Sequence, residues 1–193
     1  MPNPVATDDR MPPIRAEKMT AEQKKAAEEF AAGRGYSSRG PFAVMLRSPE
    51  VILRAKAMGD YLRFRNVLPK RVSEMVILIT AREWTQQYEW SHHYGFALEA
   101  GLAKAIVEAI AEGRRPDAMA EEEAAAYDFS IELHRTKRVS DKTYARALAL
   151  FGEPGVIDLT GISGYYSFLA MMMNVARTEP EPGKAPPLPR FPE

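Results

Sequence analysis

Residues 71–102 read RVSEMVILITAREWTQQYEWSHHYGFALEAGL, and the fold follows from this stretch. From Val72 to Ala81 it is apolar almost all round, as a helix buried on every side must be. The one acid inside that run is Glu74. Gln86, Glu89, His92, His93 and Glu99 then follow in quick succession. Residues three, four and seven apart share one side of a helix, so Gln86, Glu89 and His93 form a stripe with Arg82 one turn back. A carboxylate and an imidazole four apart can share a proton or face one small ligand. No other part of the chain concentrates groups suited to proton transfer. Average helices run to about a dozen residues, so a break is expected at Glu83-Trp84-Thr85, with Gly101 ending the second half.

Working outward, Thr20-Ala21-Glu22-Gln23 has the form of a capping box opening a helix to Ala32, stopped by Gly33. GRGYSSRGPF (33–42) reads first as a connecting loop, with Arg34, Tyr36 and Arg39 as the residues in it able to line a pocket and meet an anionic substrate. Ser48-Pro49 marks a cap followed by a first-position proline, and Pro69 opens the next helix in the same way. Beyond Gly101, helices are expected over Ala103–Ala111 and from about Met119 to Arg138. Another follows Ser140 and is ended by Gly152, and the last is opened by Pro154. No segment alternates with period two and no hairpin turn separates apolar runs, so the chain is all-α, with seven or eight helices. The expected organisation is an N-terminal arm (1–18), one helical domain (19–178) and a proline-rich tail (179–193).

With 193 residues the chain suits one domain with a full core. Its 26 acidic and 26 basic residues cancel, and the bases are evenly spread, which argues against a polyanionic partner, nucleic acid or an anionic membrane surface. There is no cysteine, so disulfides, thiolate metal sites and thiol nucleophiles are excluded. No signal-peptide core and no window of membrane-spanning length stands out, so a soluble cytoplasmic protein is expected.

Glu74 in so apolar a helix needs a partner, because an unpaired buried charge costs several kcal/mol, roughly. Glu89 and His93 sit among Trp84, Tyr88, Trp90, Tyr94 and Phe96, the surroundings of a cleft that shifts pKa values. Glu89, His92 and His93 offer themselves as metal ligands, but His92 points about 100° away from His93 on a helix. Two ligands in one stripe fall short of a catalytic metal site unless Glu74 joins. His134, beside Arg135 and Lys137, reads as a surface residue complementing a helix dipole. The last helix, with Tyr165-Tyr166 and Met171-Met172-Met173, reads as core or interface.

The spacing Glu74, position 86, position 89, His93 resembles the active-site pattern of the carboxymuconolactone decarboxylase / AhpD-like superfamily. In the alkyl hydroperoxidase branch the two middle positions are a Cys-x-x-Cys pair; here they are Gln86 and Glu89, so thiol peroxidase activity does not carry over. The decarboxylase branch is similar in having a glutamate where Glu89 stands. Its A-x-x-x-G-L ending is matched by Ala97–Leu102, and the flanks GPFAVMLRSPEV, RVSDKTYARAL, FGEPGVIDL and GYYSFLAMMMN look like a subgroup with the YEWSHH-type motif. The resemblance covers roughly residues 36–178. It implies a helical bundle assembling as a homotrimer or homohexamer, with no metal and no organic cofactor.

The function it implies is a cofactor-free acid–base enzyme acting on a small carboxylated or lactone-like substrate, by decarboxylation or a related proton shift. In that expectation His93 donates the proton or hydrogen-bonds the enolate, Glu89 holds or relays the proton, and Glu74 orients His93. Gln86 hydrogen-bonds the substrate and Arg39 holds its carboxylate. The alternative is a non-catalytic helical oligomer binding a small ligand or a partner protein, with Glu74, Glu89 and His93 satisfying one another as a buried network.

Overall fold

The computed structural model describes residues 9–180 and 183–189. Residues 1–8 of the expected arm, and 181–182 and 190–193 of the expected tail, lie outside the described residues. Eight α-helices are present among the described residues and no strand: α1 (Ala21–Arg34), α2 (Pro41–Met45), α3 (Pro49–Phe64), α4 (Lys70–Glu83), α5 (Gln87–Glu99), α6 (Lys104–Ala111), α7 (Glu121–Thr136) and α8 (Asp141–Ala176).

The apolar run becomes α4, and every residue from Val72 to Arg82 is buried. Helices α5, α6, α7 and α8 all pack against it, which is why no face of it is polar. The expected break falls where the sequence puts it. Trp84 closes α4, Thr85 adopts a left-handed φ of 46°, and Gln86 caps α5. A non-glycine residue in that region marks a constrained turn.

Several boundaries differ from expectation. The Thr20–Gln23 capping box forms, with both reciprocal bonds, but α1 runs through Gly33 to Arg34 and ends at Gly35 (φ 72°). Continued hydrogen bonding outweighs the modest cost of one glycine in a helix, about 1 kcal/mol. The expected 33–42 loop is therefore shorter, and its end folds as α2 with Pro41 in the first turn. Pro69 is the residue before α4 rather than its first residue, and the Ser48 side chain makes no capping bond. The last two expected helices form one long element, α8, bent at Gly152 (φ 66°, ψ 178°), two residues before Pro154. The bend occurs where a proline without an N–H would otherwise break the ladder.

α8 also corrects the membrane expectation, because it is long and apolar enough to cross a bilayer by length and composition. In the bundle its apolar face is occupied: Leu159, Ile162, Tyr165, Tyr166, Leu169 and Met173 are buried in the core. The proline-rich segment after α8 folds back on its own chain. Trp90 Nε1 donates to the Pro186 carbonyl (3.0 Å), and the Gln87 amide pairs with both the N–H (2.9 Å) and the carbonyl (2.8 Å) of Leu188. Leu188 itself is buried.

Candidate active site

The elbow between α4 and α5 is held by side chains. Gln86 Oε1 accepts from the backbone N–H of Tyr88 (2.6 Å) and of Glu89 (3.3 Å), and its Nε2 donates to Asn174 Oδ1 (2.9 Å) on α8. Asn174 Nδ2 in turn donates to the Trp84 carbonyl (3.1 Å), and Trp84 Nε1 donates to Ser167 Oγ (3.0 Å). Gln86 thus fixes how α5 leaves the elbow. Both acceptor sites and one of the two N–H donors of its amide are used at the elbow, and Gln86 is not among the residues lining the cavity, so it is placed to shape the elbow rather than to make the expected hydrogen bond to substrate. Arg82 also leaves the expected stripe: it lies before the elbow, and its Nη1 donates to the carbonyl of Pro189.

Past the elbow, Glu89 and His93 lie one turn apart on α5 and line the same cavity. Glu74 reaches this pair from α4. Its Oε2 is 2.7 Å from His93 Nδ1, and its Oε1 is 2.6 Å from Lys70 Nζ. Burial alone pushes the Glu74 carboxyl up, but the bond to His93 and the Lys70 ammonium outweigh it and hold the carboxyl at about 2. An ionised Glu74 places the proton on Nδ1 of a neutral His93 and leaves Nε2 for the cavity. The imidazole is itself pushed down by burial, against the pull of Glu74 and with the positive charges of Arg63 and Lys70 adding to the effect, so it stays neutral at pH 7.

Glu89 is the opposite case. It is 2 % exposed, and neither carboxylate oxygen has a hydrogen-bond partner among the described residues. Burial pushes its carboxyl well above the usual range. Its place in the first turn of α5 favours the charged form by about 0.3–1 kcal/mol. Desolvating an unpaired carboxylate costs several kcal/mol, roughly, and wins. Glu89 is a neutral acid.

The cavity measures about 50 Å³, well above the roughly 10–15 Å³ that one water needs. Tyr166 of α8 stands edge-on to His93, with ring centroids 5.2 Å apart at 90°. Both tyrosine hydroxyls stay protonated, since burial raises Tyr165 and Tyr166 alike. The Tyr165 hydroxyl donates to the Ala55 carbonyl (2.9 Å) and occupies the space above Gly59, where a Cβ would lie 2.3 Å from it. Glycine at 59 is therefore a packing requirement.

His92 also lines the cavity, which the 100° separation from His93 did not suggest. The cavity wraps round α5, and His92 lies between Tyr88 (6.1 Å, stacked) and Phe96 (5.5 Å, edge-on), each one turn away. Arg34, Tyr36 and Arg39 also line the cavity, so the 33–42 stretch does more than connect helices. Arg34 is engaged by Asp60 (2.7 Å) and lies over Phe42, whereas Arg39 is exposed and stacks on Tyr36. Arg63, Tyr166 and Lys70 were not anticipated. His134 is not the free surface residue expected: it is half-buried, with Nε2 3.0 Å from Thr80 Oγ1. Among the described residues no group of three or more His, Cys, Asp or Glu side chains is placed to hold a metal ion.

Solved structures with the same architecture are found. A peroxidase-related alkylhydroperoxidase AhpD core protein from Ralstonia eutropha superposes with a TM-score of 0.73 at 15% identity, over 90% of this chain and 93% of that one. The fold is AhpD-like. The debrominase Bmp8, in a cysteine-to-alanine variant bound to 2,3,4-tribromopyrrole, gives 0.70 at 15% identity over 91% of this chain and 94% of the other. A protein of unknown function from Agrobacterium tumefaciens, described as an AhpD antioxidant-defence protein, gives 0.59 at 15% identity over 71% and 94%. No protein-family model and no curated protein matches the sequence. The AhpD-like fold thus carries, in this chain, a site without any cysteine.

Proposed function

We propose that the protein is a cofactor-free acid–base enzyme acting on a small carboxylated or lactone-like substrate. The observation that carries this reading is the neutral, unpartnered carboxyl of Glu89, in the same cavity as a His93 held by an ionised carboxylate. Paired groups whose environments drive their protonation apart are the mark of an acid and a base. The hydrogen bond to Glu74 supports Glu89 as the acid and His93, through Nε2, as the base. Glu89 thereby keeps the expected proton-holding role and becomes the donor itself, while His93 takes the part of base instead of donor.

In a proton shift, His93 Nε2 takes a proton from one carbon and Glu89 gives one to another. In a decarboxylation, the bond to the carboxylate carbon breaks, carbon dioxide leaves, and its electron pair enters a dienolate. Glu89 then protonates carbon and is left as a buried carboxylate, which a proton from solvent restores. The buried, low-dielectric cavity strengthens these interactions. The debrominase of the same fold, bound to a brominated pyrrole, supports a small planar ring as the class of molecule accommodated.

A homotrimer or homohexamer is the assembly we propose. Phe64, Val67 and Ile157 are 62%, 57% and 68% exposed, an apolar surface of the kind that subunit contacts cover. The non-catalytic alternative, in which Glu74, Glu89 and His93 satisfy one another, is not supported by a Glu89 that bonds to neither. The test is decarboxylation and isomerisation of 4-carboxymuconolactone and related lactone acids, followed by ultraviolet absorbance, beside His93→Ala. Turnover lost in the variant while the oligomer persists is the expected result. Absence of turnover from the folded oligomer across the panel would remove the reading.

A further inference from the structure

Among the described residues the cavity holds a cation without a counter-ion. Arg63, one turn after Gly59 on the same face of α3, lines the cavity together with Glu89 and His93. Its guanidinium lies against the rings of Phe96 (5.1 Å) and Phe64 (5.3 Å). No carboxylate pairs with it among the described residues. The acids nearby are unavailable to it: Glu74 faces Lys70 and His93, Glu89 is neutral, and Asp60 holds Arg34 and Lys56. The backbone of Arg63 is tied down as well, since Lys70 Nζ donates to its carbonyl (3.1 Å).

We propose that Arg63 is the anion anchor of this pocket and that its guanidinium takes the carboxylate of a small ring acid. The proposal deepens the acid–base reading by naming the group that orients the substrate, and it rests on that reading for the identity of the pocket. A planar guanidinium matches a carboxylate with two parallel hydrogen bonds, and the flanking rings hold its plane. Arg39, the candidate suggested by sequence, is less suited. It is exposed, stacks on Tyr36, and also walls a second, outer cavity with Asp9 and Glu179. Arg63 is half-buried and closer to the chemistry, through a Phe96 ring whose centroid is 6.1 Å from that of His93.

An anion at Arg63 also changes the base. The charged or titratable groups that face His93 are Glu74 and, through it, Lys70 on α4, Arg63 on α3, and Glu89 and His92 on α5, with the Tyr166 phenol on α8. Neutralising Arg63 removes one positive charge and makes His93 more basic when substrate is present.

The experiment uses the full chain with 2-furoate as probe and 2-furamide as its neutral counterpart. Affinity is read by calorimetry, and His93 by long-range proton–nitrogen NMR of the imidazole. Furoate is expected to bind and furamide to bind at least about tenfold more weakly. Arg63→Met should weaken furoate roughly 10- to 100-fold, the loss typical of a hydrogen-bonded charge. Arg63→Lys should retain part of the affinity, and Arg39→Met should cost less than Arg63→Met. Without ligand, Arg63→Met should raise the pKa of His93, a shift that mere loss of packing would not produce. Furoate failing to bind the wild type, furamide binding equally well, or Arg63→Met matching wild type would each overturn the proposal. Furoate bound through Arg63 with no turnover of any lactone acid would remove the acid–base reading and leave the anchor standing. Turnover unchanged by Arg63→Met would do the reverse.

Discussion

Glu74 and Glu89 are both buried glutamates on consecutive helices, one bonded to His93 and the other a turn before it on α5. Glu74 is hydrogen-bonded to His93 through one oxygen, ion-paired with Lys70 through the other, and ionised; Glu89 has no partner among the described residues and is neutral. Solvent exposure does not distinguish them, since both are essentially inaccessible. What separates them is where the helices place partners: Glu74 meets the His93 imidazole from α5 as well as a lysine on its own helix, and Glu89 meets neither. Lys70 stands one turn before Glu74 on α4, whereas the residue one turn before Glu89 is Thr85, in the elbow. Burial with partners makes a fixed negative charge; burial without them makes a proton store. The comparison teaches that one buried side-chain type becomes a fixed charge or a neutral acid according to its partners.

The largest effect should come from removing the proton store. Glu89→Gln keeps shape and abolishes donation, so turnover should fall by about 10²–10⁴-fold. Stability should move the other way. The folded carboxyl is raised above its unfolded value near 4.5, so native Glu89 costs stability progressively as pH rises above that value. Glu89→Gln should therefore melt higher than wild type at pH 8 and alike below pH 4.5, by differential scanning fluorimetry. A variant that is both inactive and less stable at pH 8 would break the contrast.

Next is Glu74→Gln. The amide cannot hold the Nδ1 proton as an ionised carboxylate does, so His93 loses its fixed tautomer. We expect a loss of about 10–100-fold in turnover and about 2 kcal/mol in stability by urea unfolding. Imidazole nitrogen shifts should show Nδ1–H and Nε2–H forms mixing. A single Nδ1–H form surviving would mean that Glu74 does not set the tautomer.

Much of this was legible in the sequence, for reasons tied to particular residues. The apolar run 72–81 with one acid gave both α4 and the need for a Glu74 partner. The break at residues 83–85 was also legible, and it already implies that Arg82 and Gln86 cannot extend the Glu89–His93 stripe. Gln86 at the N-cap is the local consequence of that break. Arg63 and Tyr166 were not legible, because their place in the site depends on how α3 and α8 dock. That docking includes contacts such as the Tyr165 hydroxyl seated over Gly59 and Leu62 packed on Gly161, which no spacing rule encodes. His92 was hidden for a different reason: a helical wheel assigns directions, and a cavity that wraps a helix accepts more than one of them.

Gln86→Ala sharpens the comparison from the elbow. Loss of the cap and of the Asn174 bond should cost about 1 kcal/mol, while turnover falls only a few-fold because Gln86 does not reach the cavity. A loss comparable with that of Glu89→Gln would return Gln86 to the substrate.

The smallest effect is Lys70→Met, and it asks what keeps Glu74 charged. The Lys70 side chain is 50% exposed, so solvent screening limits the pair to below about 1 kcal/mol. The carboxyl is depressed in the folded state, to about 2 from 4.5, so its stabilising contribution is present above pH 4.5 and is lost as pH falls through about 2. Without Lys70 the folded value rises toward 4.5 and the contribution shrinks. Wild type and Lys70→Met should therefore differ most above pH 4.5 and converge near pH 2, in urea unfolding across that range. The His93 bond remains in the variant, so Glu74 should still be ionised at pH 7 and turnover nearly intact. A collapse in turnover at pH 7 would mean that the ammonium, and not the imidazole, maintains the charge. Glu74 and Glu89 would then differ by a single exposed lysine.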